Sequence, residues 1–300
     1  MGSRADAAAY VAYRMPATAA ATALALRELS RSLPGWSPRS LLDLGAGTGG
    51  AAWAVAEELP TVESMTLLEQ SADAIRLGEA ILAASAAPGL RAATWCSWRL
   101  PVADGRLAAD SPLPQPVDAD LATASYVLGE LTSAQQSTLV TLAMQSAPAV
   151  LLVEPGTPAG HRRILAARAQ LLAASYLVAA PCPHQAGCPL DVPADWCHFS
   201  ARLQRSAMHR QAKGAELSYE DEKFSYVGAV RPDAAHLAAP AGRIVRRPQQ
   251  RKGLVTLSVC AQDGSIERDL VSKSKGELYR QARKISWGDP WPVPDQGRST

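Results

Sequence analysis

A run of glycines directly after a short apolar segment constrains the fold of this chain more than any other feature. Residues 41–50 are Leu-Leu-Asp-Leu-Gly-Ala-Gly-Thr-Gly-Gly. An apolar run that is followed directly by several glycines predicts a strand, a tight turn and a following helix. Gly45, Gly47 and Gly49 lack the β-carbons that would keep a ligand away from the backbone. The loop therefore predicts a site for a nucleotide-like ligand at the start of a helix, where free N–H groups collect.

The acidic residues around the glycines narrow the choice of ligand. Asp43 stands two residues before the first glycine, and the resulting D-x-G-x-G-x-G pattern resembles the first motif of doubly wound S-adenosylmethionine-dependent methyltransferases. In that resemblance, Asp43 orients the loop and meets the cofactor's ammonium group through water. Glu69 ends the next apolar run, where a carboxylate can accept hydrogen bonds from both ribose hydroxyls. We predict that six residues bind the cofactor: Asp43, Gly45, Ala46, Gly47, Gly49 and Glu69.

Two other interpretations of the glycines stay open. Gly45, Gly47 and Gly50 also satisfy G-x-G-x-x-G, the pattern of dinucleotide-binding loops, although a carboxylate at Glu69 would repel a 2′-phosphate. A glycine turn that serves only packing is the second alternative.

Short apolar runs and helical segments alternate along the first half, which is typical of a parallel sheet covered by helices. The predicted fold class is α/β, a doubly wound (Rossmann-like) class I methyltransferase sheet with a C-terminal cysteine-cluster and β-rich extension. A helical segment over residues 7–32 precedes it, with a kink at Pro16 and a second helix capped by Thr18. Strands are expected at 41–44, 65–68, 93–95, 120–125 and 150–153, and helices at 51–58, 72–85, 133–146 and 160–175. The expected domains are an N-terminal helical segment (1–35), a methyltransferase-like core (36–176) and a C-terminal module (177–300).

The end of the fourth predicted strand carries no recognisable catalytic motif. Residues 125–128 are Ser-Tyr-Val-Leu, with neither an Asn/Asp-Pro-Pro-aromatic sequence nor a Pro-Cys pair. The catalytic residue is therefore unknown. Tyr126 and Glu130 are the nearest candidates, and a structural role is the favoured interpretation of both.

Four of the five cysteines predict a metal centre in the second half. Three lie within residues 182–197 among prolines and a glycine, and the fourth ends a strand-like run at 254–259. An odd count without a secretory signal argues against a disulfide framework. Four thiolates suit zinc or an iron-sulfur cluster, and the spacings, five and eight residues, are not those of zinc knuckles. We predict an iron-sulfur cluster, with zinc as the alternative, on Cys182, Cys188, Cys197 and Cys260.

The remaining cysteine and two histidines near the predicted centre receive other roles. Cys96 falls in a predicted core strand and is expected to be a buried apolar residue. His184 and His198 are expected to act as hydrogen-bond partners of the centre rather than as ligands.

The formal net charge of +2 hides an asymmetry between the two halves. Residues 1–150 carry a net charge of −5, and residues 151–300 carry +7. Arginine-rich groups occur at 202–213, predicted as a helix, and at 243–252 and 273–284. A polyanionic partner would dock on this second half, and a solvated basic surface is the alternative.

These motifs together resemble the methyltransferase-like small-subunit ribosomal protein family, known from mitochondrial ribosomes and found in bacteria. The match rests on residues 13–18, 43–49, 154–158, 182–184, 195–199, 220–226 and 287–289. The resemblance implies a protein that acts on the small ribosomal subunit during assembly, with S-adenosylmethionine and a 4Fe-4S cluster as cofactors. Small-subunit rRNA and proteins would be its partners.

Two functional hypotheses follow. The first is an S-adenosylmethionine-dependent rRNA methyltransferase, and the second is a non-catalytic assembly factor with a structural 4Fe-4S cluster. Because no apolar run approaches the ~20 residues of a membrane span, we expect a soluble monomer without a membrane partner. The expected location is the bacterial cytoplasm.

Overall fold

The chain is described here by a computed structural model that covers residues 14–100, 118–192, 195–204 and 218–293. Eight strands form the larger of two sheets. They are β1 (Ser40–Leu44), β2 (Ser64–Glu69), β3 (Thr94–Ser97), β4 (Leu121–Ser125), β5 (Ala149–Pro155), β6 (Leu177–Ala180), β7 (Phe199–Gln204) and β8 (Tyr219–Val230).

The strand order of the larger sheet is β3-β2-β1-β4-β5-β8-β6, with β7 paired to β8. Strands β1 to β5 are parallel, and the order reverses between β1 and β4. Open sheets of this kind bind ligands at such a reversal, outside the carboxyl ends of the strands. The predicted doubly wound α/β class is confirmed.

In the described residues, six helices accompany this sheet, and several begin at residues that cap them. Ser71 accepts a hydrogen bond from the Ala74 N–H, and Thr157 accepts one from the Gly160 N–H. Thr132 forms a reciprocal capping box with Gln135. The helices are α1 (Met15–Arg31), α2 (Gly50–Glu58), α3 (Ala72–Ala83), α4 (Pro88–Arg91), α5 (Ser133–Ser146) and α6 (Pro158–Ala173).

The start of α1 differs from the sequence prediction. Pro16 lies in the first turn, where a missing N–H leaves no helical hydrogen bond unmade. The helix therefore begins before the proline, and the prediction that Thr18 caps a second helix is wrong. The Thr18 hydroxyl is buried without a hydrogen-bond partner in the described part of the chain.

Strands β6, β7 and β8 complete the core, although the predicted core ended at residue 176. Strand β8 is antiparallel to β5, β6 and β7, and residues 224–230 are all buried. Helix α1 packs against β8, where a β-carbon on Gly228 would lie 3.0 Å from Leu29 Cδ1. The predicted boundary at 176 cuts through this sheet, and we propose that the core extends to about residue 230.

A second sheet near the carboxyl end confirms the predicted β-rich extension. It contains β9 (Gly242–Ile244), β10 (Gln249–Arg251), β11 (Leu254–Ala261) and β12 (Ile266–Ser272), followed by helix α7 (Glu277–Ala282). Strand β11 pairs antiparallel with the other three strands. Its buried face, with Leu257 and Val259, packs with Trp291 in a small apolar core.

A buried ion pair joins the second sheet to α1. Arg243 on β9 is 1% exposed and pairs with Glu28, which is 3% exposed. Arg243 also donates hydrogen bonds to the carbonyls of Pro181 (2.9 Å) and Gly288 (2.8 Å). Because a buried charge is costly without partners, this arginine holds three separate segments together.

Two other predictions, for Cys96 and for the basic helix at 202–213, differ from the structure. Cys96 lies on the edge strand β3 and is only half-buried, because nothing pairs with the outer side of that strand among the described residues. Residues 202–204 lie on strand β7 rather than on a basic helix, and residues 205–213 of that predicted helix lie outside the described residues. In the described ranges, no helix combines the length and the apolar character that crossing a membrane requires.

Candidate cofactor pocket and cysteine site

The glycine loop connects β1 to α2 in a backbone conformation that favours glycine. Gly45, Gly47 and Gly49 have φ values of +77°, +58° and +90°. A β-carbon on Gly45 would also lie 2.6 Å from Val127 Cγ2, closer than any real contact. The loop thus needs glycine for its conformation and for its close approach to Val127, two residues after the end of β4.

Glu69 holds the loop at the carboxyl end of β2. One carboxylate oxygen accepts the Gly47 N–H at 2.9 Å, and the other accepts the Ser71 N–H at 2.8 Å. Each oxygen keeps a further lone pair. The side chain lines a cavity together with Gly45, Gly47, Trp98 and Tyr126.

Asp43 is buried beneath the loop with one oxygen unsatisfied. Its exposure is 1%, and Oδ1 accepts a hydrogen bond from the Thr123 hydroxyl at 2.7 Å. The other oxygen, Oδ2, has no hydrogen-bond partner among the described residues. Burial raises the pKa of Asp43 from 3.8 to about 7, with a smaller contribution from the negative charge of Glu69. A cation or a hydrogen-bond donor near Oδ2 would offset the energetic cost of burying this unpaired oxygen.

The structure brings the predicted cofactor residues together at one place. Asp43 and Glu69 lie near the carboxyl ends of the neighbouring strands β1 and β2. Ala46 donates its N–H to the Leu68 carbonyl at 2.9 Å, as Gly45 does. Buried polar groups without partners mark sites where a ligand can supply the missing contact. The arrangement can hold a ligand that presents hydroxyl groups to one carboxylate and a positive charge to the other.

A strained tyrosine borders the same cavity, and the sequence did not reveal its contacts. Tyr126 follows β4 with φ +61°, a value that costs energy for a bulky residue. Its hydroxyl donates to Glu222 on β8 at 3.0 Å, and the Arg14 guanidinium lies 3.6 Å from the same carboxylate. Arg14 also lies 5.6 Å from the centre of the Tyr126 ring. Glu130, the other catalytic candidate, lines the cavity and is exposed.

The four predicted metal-binding cysteines line a second, tightly packed cavity of about 10 Å³. Burial raises the pKa of the thiols of Cys188, Cys197 and Cys260, the last to about 12. In the parts of the chain that the structure describes, no three His, Cys, Asp or Glu side chains are arranged to hold a metal ion. The cysteines thus share a cavity, and a metal centre there stays a prediction.

Both histidines that were predicted as hydrogen-bond partners lie in polar contact with residues of this region. His184 Nε2 is 3.4 Å from the Cys260 sulfur, and His198 Nδ1 is 3.1 Å from the Trp196 carbonyl. Burial lowers the pKa of both imidazoles.

Two buried arginines hold the segment between β6 and β7 that carries Cys182, Cys188 and Cys197, which we call the cysteine loop. The sequence analysis placed Arg243 in the basic group 243–252 and did not single out Arg168. Arg168 on α6 donates to the carbonyls of His184 (3.0 Å) and Ala186 (2.8 Å), and Arg243 binds the Pro181 carbonyl as described above. One signal was present, because Arg168 lies four residues after Ile164 and therefore on the buried face of α6. Both arginines place positive charge beside the thiols and favour their thiolate forms.

The cysteine loop also contacts the end of the main sheet. Trp196 Nε1 donates to the Gly156 carbonyl at 2.9 Å, and the Ser225 hydroxyl donates to the Cys197 carbonyl at 2.8 Å. Ser225 pairs with Glu154 across β5 and β8. The cysteine loop is thus held against β5 and β8 of the same sheet whose other strands carry the cofactor pocket.

Fold and loop geometry define a methyltransferase-like α/β protein with a second, cysteine-lined site. A family model described as mitochondrial small ribosomal subunit Rsm22 matches residues 4–292, and the chain belongs to this family. The sequence-based recognition of a methyltransferase-like small-subunit ribosomal family is thereby confirmed.

Two curated relatives illustrate the family. The human mitochondrial ribosome assembly protein METTL17 is 29% identical over 300 residues, which are 95% of this chain and 62% of the relative. The mitochondrial Rsm22-cox11 tandem protein 2 of Schizosaccharomyces pombe is 28% identical over 307 residues, 87% of this chain and 39% of the relative. The chain therefore spans less than two thirds of the length of either relative. Because these relatives and the family description are mitochondrial, the expectation of a bacterial cytoplasmic protein is contradicted.

Two of the solved structures that match this chain are methyltransferases, both at low sequence identity. Precorrin-6y C5,15-methyltransferase from Geobacter metallireducens matches with a TM-score of 0.42 and 12% identity, covering 70% of this chain and 86% of the other. The glycopeptide N-methyltransferase MtfA in complex with S-adenosylmethionine matches with a TM-score of 0.35 and 13% identity, covering 88% and 82%.

Proposed function

We propose that this protein binds S-adenosylmethionine in the pocket beside the glycine loop and acts on the rRNA of the small ribosomal subunit during its assembly. The observation that carries the cofactor assignment is the pair of carboxylates at adjacent strand ends, Glu69 on the loop and Asp43 beneath it. The RNA assignment is supported by membership in a small-subunit family and by the basic second half.

The chemistry of the two carboxylates fits this cofactor. Glu69 keeps free lone pairs on both oxygens and can accept the two ribose hydroxyls. Asp43 Oδ2 lacks a partner and can meet the ammonium group, directly or through water. When bound, S-adenosylmethionine supplies an electrophilic methyl group. The residues named here bind and orient the cofactor, and none of them is assigned the role of catalytic base.

A genetic experiment separates methyl transfer from binding alone. The gene is deleted in its native host and complemented with the wild-type chain or with Gly47→Arg, which replaces a φ +58° glycine by a bulky residue in the loop. Mass spectrometry of small-subunit rRNA should show a methylated nucleotide that is lost on deletion and returns only with the wild-type gene. An unchanged set of methylated nucleotides would contradict methyl transfer.

A non-catalytic assembly factor with a 4Fe-4S cluster is the second candidate. It is supported by four cysteines around one cavity, by the adjacent Arg168 and Arg243, and by the absence of a known catalytic motif at residues 125–128. The preference for iron over zinc rests on the cysteine spacings, five and eight residues, which are not those of zinc knuckles.

Purification without oxygen tests the metal proposal. We expect about four iron atoms per chain, with visible absorption, and we expect each Cys→Ser change at the four positions to lower the iron content and the stability. Cys96→Ser is the matched control, since Cys96 lies on β3 outside this cavity. A colourless protein with one zinc ion per chain would contradict the iron proposal and support the zinc alternative. A metal-free protein would refute both metal assignments.

The two candidates differ in their dependence on the cofactor pocket. If assembly needs only a scaffold, Gly47→Arg should still sediment with small-subunit precursors and should restore assembly in the deletion strain. Loss of assembly in that strain would contradict the scaffold hypothesis.

A further inference from the structure

One end of the second sheet carries a group of exposed cations, which we call the basic end. Three separate segments contribute to it: the turn between β10 and β11, the 3₁₀ turn after β12, and the end of α7 with the residues that follow. Its members are Arg251, Lys252, Lys273, Arg283 and Lys284, all of them exposed.

Backbone and side-chain hydrogen bonds bring these segments together. The Lys273 N–H donates to the Gly253 carbonyl at 2.9 Å, which joins the 3₁₀ turn to the β10–β11 turn. The Gln250 side-chain amide donates to the Arg283 carbonyl at 3.0 Å, which joins β10 to the end of α7. Cations that lie up to 33 residues apart in sequence thus meet at one end of a rigid sheet.

The basic end lacks neutralising acids. Lys275 is paired with Asp269 and Arg280 with Glu277, so both of these nearby carboxylates already have a partner. Within the described ranges, none of the five members of the basic end forms an ion pair. Concentrated charge without partners raises the local positive potential, which attracts polyanions.

The basic end is distinct from both sites described above. Strand β11 runs from Leu254, beside the basic end, to Cys260 in the cysteine-lined cavity. At roughly 3.3 Å per residue, these ends of β11 are about 20 Å apart. The cofactor pocket lies on the other sheet. A polyanion could therefore contact the basic end without covering the thiols.

We propose that the basic end binds the phosphate backbone of RNA and anchors the protein on its RNA partner independently of base sequence. This inference rests on the proposed function for the identity of the polyanion. Flexible lysines and forked arginines on turns suit phosphate oxygens. An anionic membrane surface fits less well, because Ile266 and Leu270 are the only large apolar side chains exposed on the described part of the second sheet, and the charged residues 267–269 lie between them in sequence.

The experiment compares two variants that lose the same charge. K252Q/K273Q/R283Q removes one cation from each segment of the basic end. The control R39Q/R76Q/R231Q removes three exposed cations around the larger sheet. The wild-type chain and both variants are titrated against a small-subunit rRNA transcript, and against vesicles of anionic phospholipid, over a range of salt concentrations. Circular dichroism and thermal unfolding verify that all three proteins are folded.

The basic-end variant should bind RNA roughly tenfold or more weakly at moderate salt, and the control should bind like the wild type. Because each single-strand phosphate contact contributes about 0.7 to the slope of log K against log salt, the slope should fall by about 2. Equal affinities and slopes for the two variants, or no RNA binding by the wild type, would overturn the proposal. Vesicle binding that depends on the same residues, without RNA binding, would overturn it in favour of a lipid surface.

A separate measurement distinguishes failure of the RNA-binding inference from failure of the cofactor assignment. The affinity for S-adenosylmethionine is measured by calorimetry on the same wild-type and variant proteins. Loss of RNA binding in the basic-end variant supports the inference even if no cofactor binds. Cofactor binding by the wild type, with RNA affinity unchanged in that variant, refutes the inference and leaves the cofactor pocket in place.

Discussion

The buried Asp43 predicts an unusual dependence of stability on pH. The pKa of this carboxyl rises from 3.8 to about 7 on folding, because burial disfavours its charged form. Between these two values the folded protein keeps a proton that the unfolded chain has lost. The free energy of unfolding should therefore fall as the pH rises from about 4 to about 7, and the Asp43 contribution should be constant above that range.

The magnitude of this change in the free energy of unfolding follows from the shift in the pKa of Asp43. One pKa unit corresponds to about 1.4 kcal/mol, so the two units between pH 5 and a pKa near 7 should lower the stability by about 3 kcal/mol. Asp43→Asn has nearly the same shape and can still accept the Thr123 hydroxyl, but it does not titrate.

Urea unfolding at several pH values between 5 and 8, without cofactor, measures this effect. The wild type should lose about 3 kcal/mol relative to Asp43→Asn across that range. Glu79→Gln, at an exposed position on α3, is the control and should follow the wild type. Parallel curves for wild type and Asp43→Asn would refute the assignment of a buried, proton-binding carboxyl beneath the loop.

Three further predictions concern the two sites and their supports. If S-adenosylmethionine binds only to ionised Asp43, calorimetry should give an affinity about tenfold weaker at pH 6 than at pH 8, and a flat profile would contradict that requirement. Arg243→Met leaves Glu28 buried without its main partner and should cost about 3–5 kcal/mol in urea unfolding, and adding Glu28→Gln should restore part of the loss. Tyr126→Phe removes the hydrogen bond to Glu222 and should cost about 1 kcal/mol, and an unchanged midpoint of unfolding would show that this bond contributes nothing.

The sequence predicted the parts of the fold that depend on local patterns. The glycine loop and Glu69 are recognisable because a strand, a turn and a helix follow each other within a few residues, and the parallel strands β1 to β5 follow from the same alternation. The caps of α3, α5 and α6 are local as well.

The features that the sequence did not reveal depend on long-range pairing. Strand β8 joins β5 across some 70 residues, and no local pattern distinguishes that antiparallel pairing from a separate module. The contact between Tyr126 and Glu222 spans 96 residues, and the Arg243–Glu28 pair spans 215. Arginines were predicted as surface charges, and only the packing of three distant segments explains why Arg243 is buried.

Titration calorimetry with S-adenosylmethionine tests the central claim most directly, when wild type, Glu69→Gln and Glu63→Gln are compared at pH 8. Glu63 is exposed at the opposite end of β2 and serves as the matched control. We predict binding by the wild type and the control, and affinity at least about tenfold weaker in Glu69→Gln, which loses the charge that accepts the ribose hydroxyls. No binding by the wild type at ~1 mM cofactor, or equal affinity in Glu69→Gln, would contradict the assignment of this pocket.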